Sequence, residues 1–220
     1  MAFDIRHQYV VSRQIMAHGN FSAHVMDCFE KTPRHFFMPP TEVHKAYVEE
    51  AVRIAPDRLV MMPLLLARLM NHLPIVPDKN IMIAGGNTGY SAALFSYYAS
   101  TVFLLEEDDR FKGQVQAGLG ALHIDNVVVC QGSLKEGLAR QGPFHFIFIE
   151  GGVDYVPSCF FDQLTEKGVG VFACARQKGM PVGQMTRFWR DSHGIIHREP
   201  LFEMPCYPLK EFSHSRKFEF

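Results

Sequence analysis

The residues best placed to do chemistry form one strand–loop–helix unit. Ile81-Met82-Ile83-Ala84 is a short apolar run that ends at Gly85-Gly86-Asn87-Thr88-Gly89, and a helical segment follows from Tyr90 to about Tyr98. Glycine at a strand end lets the backbone turn tightly and approach a ligand, and the next helix offers unpaired N–H groups. The following apolar run, Val102-Phe103-Leu104-Leu105, ends in Glu106, 21 positions after Gly85. A carboxylate at that spacing can accept hydrogen bonds from both hydroxyls of a ribose. Two plainer readings stand beside this one. The loop can be a simple strand-to-helix turn, and Glu106-Glu107-Asp108-Asp109 can be a solvated helix start favoured by the helix dipole.

Two further positions share the carboxyl edge of the inferred sheet. Ser133 could bond a base edge while Leu134 packs on the ring, or Ser133 could cap the next turn. Glu150 ends a wholly apolar strand and precedes Gly151-Gly152, so its carboxylate either faces a cleft or closes the loop through local hydrogen bonds. Asn87 tolerates positive φ better than most residues, which suits it to the turn.

These residues need a scaffold, and the pattern supplies one. From residue 80 apolar strands alternate with helices: a helix with Phe111, Val115, Leu119 and Leu122 on one stripe, strands at 127–130 and 144–149, a short helix at 160–164, and a strand at 169–173. Continuously apolar strands separated by helices imply a parallel sheet covered on both faces. Met185 to Arg190, Ile195 to Leu201 and Lys217 to Phe220 read as antiparallel strands added to it. Before residue 80 the chain reads as helical: Ser22 caps a helix carrying Val25, Met26 and Phe29, and Leu59–Leu73 is a long apolar stretch with Pro63 in a first turn. The expected division is a helical N-terminal extension, 1–75, packed on an α/β core, 76–220, as one structural unit.

Composition excludes broad classes. Twenty-two basic residues against 23 acidic ones leave a net charge of −1, without the basic surplus of a generic nucleic-acid or anionic-membrane binder. Five cysteines without a Cys-x-x-Cys pair read as free thiols in a reducing compartment, and no metal site is expected from them. Eleven histidines follow no ligand spacing, Gly-x-Ser-x-Gly is absent, and the methionines and Trp189 read as packing. The N-terminus has no signal-like apolar region, and the longest apolar run falls short of a membrane span. The expected location is the cytoplasm.

Taken together, several segments are similar to one family. Thr32-Pro33-Arg34-His35-Phe36-Phe37-Met38-Pro39, Ala46-Tyr47, Pro63-Leu64-Leu65-Leu66-Ala67-Arg68-Leu69, Gly89-Tyr90-Ser91-Ala92-Ala93-Leu94, Gly142-Pro143-Phe144, Val156-Pro157 and Asp162-Gln163-Leu164 fall in the order and spacing of the protein-L-isoaspartate O-methyltransferases. The chain resembles a divergent bacterial branch of them. The resemblance implies a class I, Rossmann-like methyltransferase fold, S-adenosylmethionine as cofactor, and isoaspartyl residues of damaged proteins as methyl acceptors. With the ligand outside the carboxyl ends of the strands, the expected cofactor contacts are Gly85, Gly86, Asn87, Gly89, Glu106, Ser133 and Glu150. The resemblance also exposes departures. Met61 stands where the family carries a serine at the methyl-transfer site, and a thioether donates no hydrogen bond. Ile83 replaces the acid of the first strand, Asn87 the middle glycine, Ser133 the acid that reads the adenine amine, and His145 the Asp after Pro-Phe. No catalytic residue is assigned. Two other readings stay open: a methyltransferase fold that lost catalysis and serves as a binding module, and, from the strand–loop–helix alone, a dinucleotide oxidoreductase.

Overall fold

The computed structural model describes residues 2–176 and 180–213. Its centre is a seven-stranded sheet in the order β5-β4-β3-β6-β7-β8-β9. The strands are β3 (Val76–Ala84), β4 (Ala99–Glu106), β5 (Val127–Gln131), β6 (Phe146–Val153), β7 (Gly170–Arg176), β8 (Val182–Arg190) and β9 (Ile196–Pro205). The first five are mutually parallel, and β8 and β9 run antiparallel at one edge. The parallel sheet is the one implied by the alternating pattern, and the whole is the Rossmann-like α/β arrangement implied by the family resemblance. The tail segment at 217–220 lies outside the described residues.

Pleating divides β3 between two apolar layers. Ile81 and Ile83 enter the larger one, with Phe95, Phe146 and Phe148; Met82 and Ala84 enter the smaller, with Leu105, Ile147 and Phe160. The larger layer also takes Ile15, Phe29, Phe37 and Leu66, so the N-terminal segment and the sheet share one core. Among the described residues no helix is long and apolar enough to cross a membrane.

Local chemistry explains the element boundaries. Ser22 Oγ accepts from the Val25 amide and opens the helix Ala23–Lys31. Pro63 takes the first position of the helix Pro63–Asn71, where its missing N–H costs nothing. The residues before it differ from the sequence expectation: Arg58–Val60 is a strand, β2, paired antiparallel with β1 (Val52–Ala55). The helix after the glycine loop, Tyr90–Phe95, is shorter than expected; beyond its end Ser96 Oγ bonds back to the Ala93 carbonyl.

Candidate functional site

From β3 the chain moves outward through β4 to β5 and then returns to β6 on the other side of β3. That reversal opens a crevice beyond the carboxyl ends of β3 and β6, where open α/β sheets bind ligands. The sequence-derived residues converge there. Gly85 and Gly89 have φ values of 78° and 85°, and Asn87 holds 47°, so asparagine does adopt the left-handed turn. Asn87 is fixed by its side chain, which donates to the Leu59 carbonyl at 3.0 Å. Gly86 has no room for a side chain: a Cβ would lie 2.5 Å from Leu104 Cδ1. Glycine there serves close packing beneath the loop.

Glu106 ends β4 and is only 5% exposed. One carboxylate oxygen accepts the Asn87 amide at 3.1 Å, and the other accepts the Glu107 and Asp108 amides at 2.9 and 3.1 Å. Burial pushes this carboxyl up; the amide donors and Arg58 work against that push. Arg58, brought in by β2, places Nη2 3.6 Å from Glu106 and 3.2 Å from Glu211. Burial opposes the Arg58 charge, and the two carboxylates more than restore it. Neither Arg58 nor Glu211 was singled out in the sequence, because they lie 153 positions apart and meet only through folding.

Glu150 lies across the crevice at 6% exposure. It receives a hydrogen bond from Ser91 Oγ, in the first turn of the helix Tyr90–Phe95, and another from the Met61 amide. Burial, with the charge of Glu106 adding to it, pushes its carboxyl up to about 7. Of the two roles open for Glu150, the structure shows local hydrogen bonding. Met61 itself is buried, and its peptide is clamped by Arg34, whose Nη2 donates to the Val60 and Met61 carbonyls at 2.9 and 3.0 Å. Arg34 belongs to the Pro33-Arg34 motif, so the motif's buried cation holds the segment that carries residue 61.

A cavity of about 660 Å³ adjoins Glu106, lined by Arg58, Glu107, Ser133, Lys135, Lys210 and Glu211. Ser133 faces it, while Leu134 is fully buried beside Gly85. Ser133 makes no side-chain cap; its carbonyl accepts the Glu136 amide. A strap, residues 206–213, closes the other side of the crevice. Its Tyr207 carbonyl and Leu209 amide bond to Gly152, at 2.7 and 3.0 Å, so the strap extends the sheet where β3 has turned away. Leu209 then sits on Gly85 and Gly151: a Cβ on either would lie 3.2 Å from Leu209 Cδ1 or 2.4 Å from its Cγ.

The loop leaves two buried polar atoms without partners, Asn87 Oδ1 and Thr88 Oγ1. Unpaired buried oxygens beside a crevice are unusual and mark a place where a polar ligand would be accommodated. Glycine loop, terminal carboxylate, orphaned oxygens and adjoining cavity together fit a nucleoside-bearing cofactor, with Leu209 as the group that must yield.

Comparison with known proteins gives the same direction. The family model described as protein-L-isoaspartate(D-aspartate) O-methyltransferase matches residues 6–199. Protein-L-isoaspartate O-methyltransferase of Idiomarina loihiensis is 28% identical over 165 residues, 75% of this chain and 78% of its own. The enzyme of that name from Koribacter versatilis is 28% identical over 200 residues, covering 91% and 88%. Among solved structures, a Plasmodium falciparum protein described as a beta-aspartate methyltransferase, in complex with S-adenosyl-L-homocysteine, superposes with a TM-score of 0.73 at 16% identity, covering 95% of this chain and 98% of that one. A second structure, a protein-L-isoaspartate O-methyltransferase, gives 0.71 at 19% identity over 95% and 67%. At those identities the structures bear on the fold alone, that of class I methyltransferases; the family model spans most of the sequence. The chain belongs to the protein-L-isoaspartate(D-aspartate) O-methyltransferase family.

Proposed function

We propose that this chain is an S-adenosylmethionine-dependent methyltransferase that acts on the carboxylate of isoaspartyl residues in damaged proteins. Family membership favours this over a non-catalytic binding module or a dinucleotide oxidoreductase. The observation that carries it is Glu106, a buried carboxylate held by three backbone amides at the edge of the crevice. Its remaining lone pairs are the acceptors for ribose hydroxyls. The backbone of Gly85, Gly86, Asn87 and Gly89 would line the amino-acid portion, and Ser133 the adenine side; Leu134, fully buried, packs beneath Gly85 instead of on the ring. Residues 1–75 act as an extension packed on the core rather than as a separate substrate domain. Free thiols and the balanced charge agree with a cytoplasmic setting and with diverse peptide partners rather than nucleic acid.

When bound, the cofactor supplies an electrophilic methyl group, so a carboxylate acceptor needs placement and exclusion of water more than a strong base. Arg34 supplies placement by fixing the peptide of Met61. Glu150 tunes the charge. Below about pH 7 it holds its proton and does not repel an anionic acceptor; above that it is charged. Methyl transfer should therefore fall as pH rises through 7, and Glu150→Gln should flatten that fall. Serine in place of Met61 adds a hydroxyl donor, worth about tenfold in rate for one net hydrogen bond.

Calorimetry with S-adenosylhomocysteine tests the binding half directly. Saturable heat that is lost in Glu106→Gln is expected. No heat and no thermal shift at millimolar ligand would refute the cofactor assignment.

A further inference from the structure

Two of the five cysteines meet where the strap leaves β9. Cys174 is fully buried on β7, and Cys206 is the first residue of the strap, its amide bonded to the Pro181 carbonyl at 2.9 Å. Gly152 of β6 lies opposite Cys174 in the parallel register, and a Cβ there would sit 2.4 Å from Cys206 Sγ. Gly183 of β8 is the matching case: its Cβ would sit 2.7 Å from Cys174 Sγ. Two glycines on the strands that flank β7 thus leave one hollow, and two sulfurs fill it. The thiols interact directly, Cys174 toward Cys206.

We infer that Cys174 and Cys206 form a reversible disulfide under hydroperoxide, and that this bond locks the strap over the crevice. The gating half rests on the cofactor reading above; the bond itself does not. The chemistry balances in two steps. The Cys206 thiolate attacks a peroxide oxygen, the O–O bond breaks, and Cys206 becomes a sulfenic acid as the peroxide is reduced to water or an alcohol. Cys174 sulfur then attacks that sulfur; the S–S bond forms, the S–O bond breaks, and water leaves with the Cys174 proton.

The setting selects this pair. Cys206 is half-buried and open to a small oxidant, and Cys174 is sealed beneath it as the resolving thiol. The Cys174 hydrogen bond draws the Cys206 thiol toward thiolate, aided by nearby Arg176, whereas burial pushes Cys28, Cys130 and Cys159 the other way. The consequence follows from connectivity. Cys206 lies three residues before Leu209, which occupies the space above Gly85 and Gly151, and five before Glu211, which pairs with Arg58. Tying residue 206 to β7 removes the freedom that Leu209 needs to withdraw. In reducing surroundings such a bond is transient and responsive rather than structural.

The test uses the whole chain, reduced and then exposed to hydrogen peroxide. Non-reducing tryptic mass spectrometry should show one cross-linked peptide pair containing residues 174 and 206, 2 Da below the sum expected by loss of two hydrogens. It should vanish on reduction and in Cys206→Ser; Cys174→Ala serves as a second variant should the first fold poorly. Amide exchange across 206–213 should slow at least tenfold in the oxidised protein. The dissociation constant for S-adenosylhomocysteine should rise at least tenfold on oxidation and be unmoved by peroxide in Cys206→Ser. Sulfinic acid at Cys206 without a cross-link, pairing with another cysteine, or a cross-link without slowed exchange would overturn the inference. Absence of S-adenosylhomocysteine binding in both redox states would instead refute the cofactor reading, while cross-linking and exchange still decide this one.

Discussion

Two carboxylates border the same crevice and are treated in opposite ways. Glu106, at the end of β4, has three backbone amides and the Arg58 cation around it. Glu150, three residues before the end of β6, has one hydroxyl and one amide, no contacting cation among the described residues, and Glu106 itself as an unfavourable neighbour. Both are buried, so burial alone does not decide their charge. The donors do: β4 turns into a loop whose successive amides point back at its last residue, whereas β6 runs on for three residues past Glu150, beside the strap, and offers no such nest. One side of the crevice is built to hold an anion. The other is built to hold a proton.

Substitutions can break this contrast. Glu106→Gln should have the largest effect. It leaves Arg58 buried with one partner fewer and turns an amide donor toward the backbone N–H groups, costing about 3–5 kcal/mol of unfolding free energy in urea titrations. In whatever fraction folds, loss of a charged acceptor for ribose should weaken S-adenosylhomocysteine about 100-fold. An unchanged midpoint would mean that Arg58 does not depend on Glu106.

Glu150→Gln should act with the opposite sign. The folded carboxyl titrates near 7, above the ordinary 4.5. A raised carboxyl favours folding fully below the lower value, and that advantage is lost as pH climbs through the higher one. Glutamine removes the dependence, so the variant should gain up to about 3 kcal/mol over the parent at pH 8 and little at pH 5. Thermal unfolding at both pH values checks this; an equal shift at both would place the effect in packing rather than charge.

Leu209→Ala should be smaller again. It removes a buried aliphatic wedge at a cost of about 2 kcal/mol, the low end for such a truncation because the strap can settle inward. It should also open the crevice, speeding S-adenosylhomocysteine association several-fold in stopped-flow measurements. Slower association would mean that Leu209 guides the ligand instead of blocking it.

Much of the anion-holding side was legible in the sequence. The apolar run into Gly85, the 21-residue spacing to Glu106 and the tolerance of asparagine for a left-handed turn are local properties, and the turn has the geometry they imply. Ser22 and Pro63 mark helix starts for the same reason, since a cap and a missing N–H act within one turn. The other side was not legible. Leu209 reaches Gly85 only because the strap adds to β6 beyond the end of β3, and Arg58 meets Glu211 only after both termini of the fold have packed. The segment at 58–60 is strand rather than helix because it pairs with β1 and because Arg58 is drawn to two carboxylates. No period in the sequence encodes such pairings. The departures at residue 61 and residue 83 were visible, but their consequence was not: Arg34 and Glu150 hold the Met61 peptide in place although its side chain carries no donor.

The most direct test of the central claim is transfer of an isotope-labelled methyl group from S-adenosylmethionine to a synthetic peptide carrying one isoaspartyl residue, beside the same peptide carrying aspartate. Base-labile label on the isoaspartyl peptide, absent from the aspartyl control and lost in Glu106→Gln, is the predicted result. Label no higher than in that variant, with the parent protein shown to bind S-adenosylhomocysteine, would contradict isoaspartyl methylation as the activity of this chain.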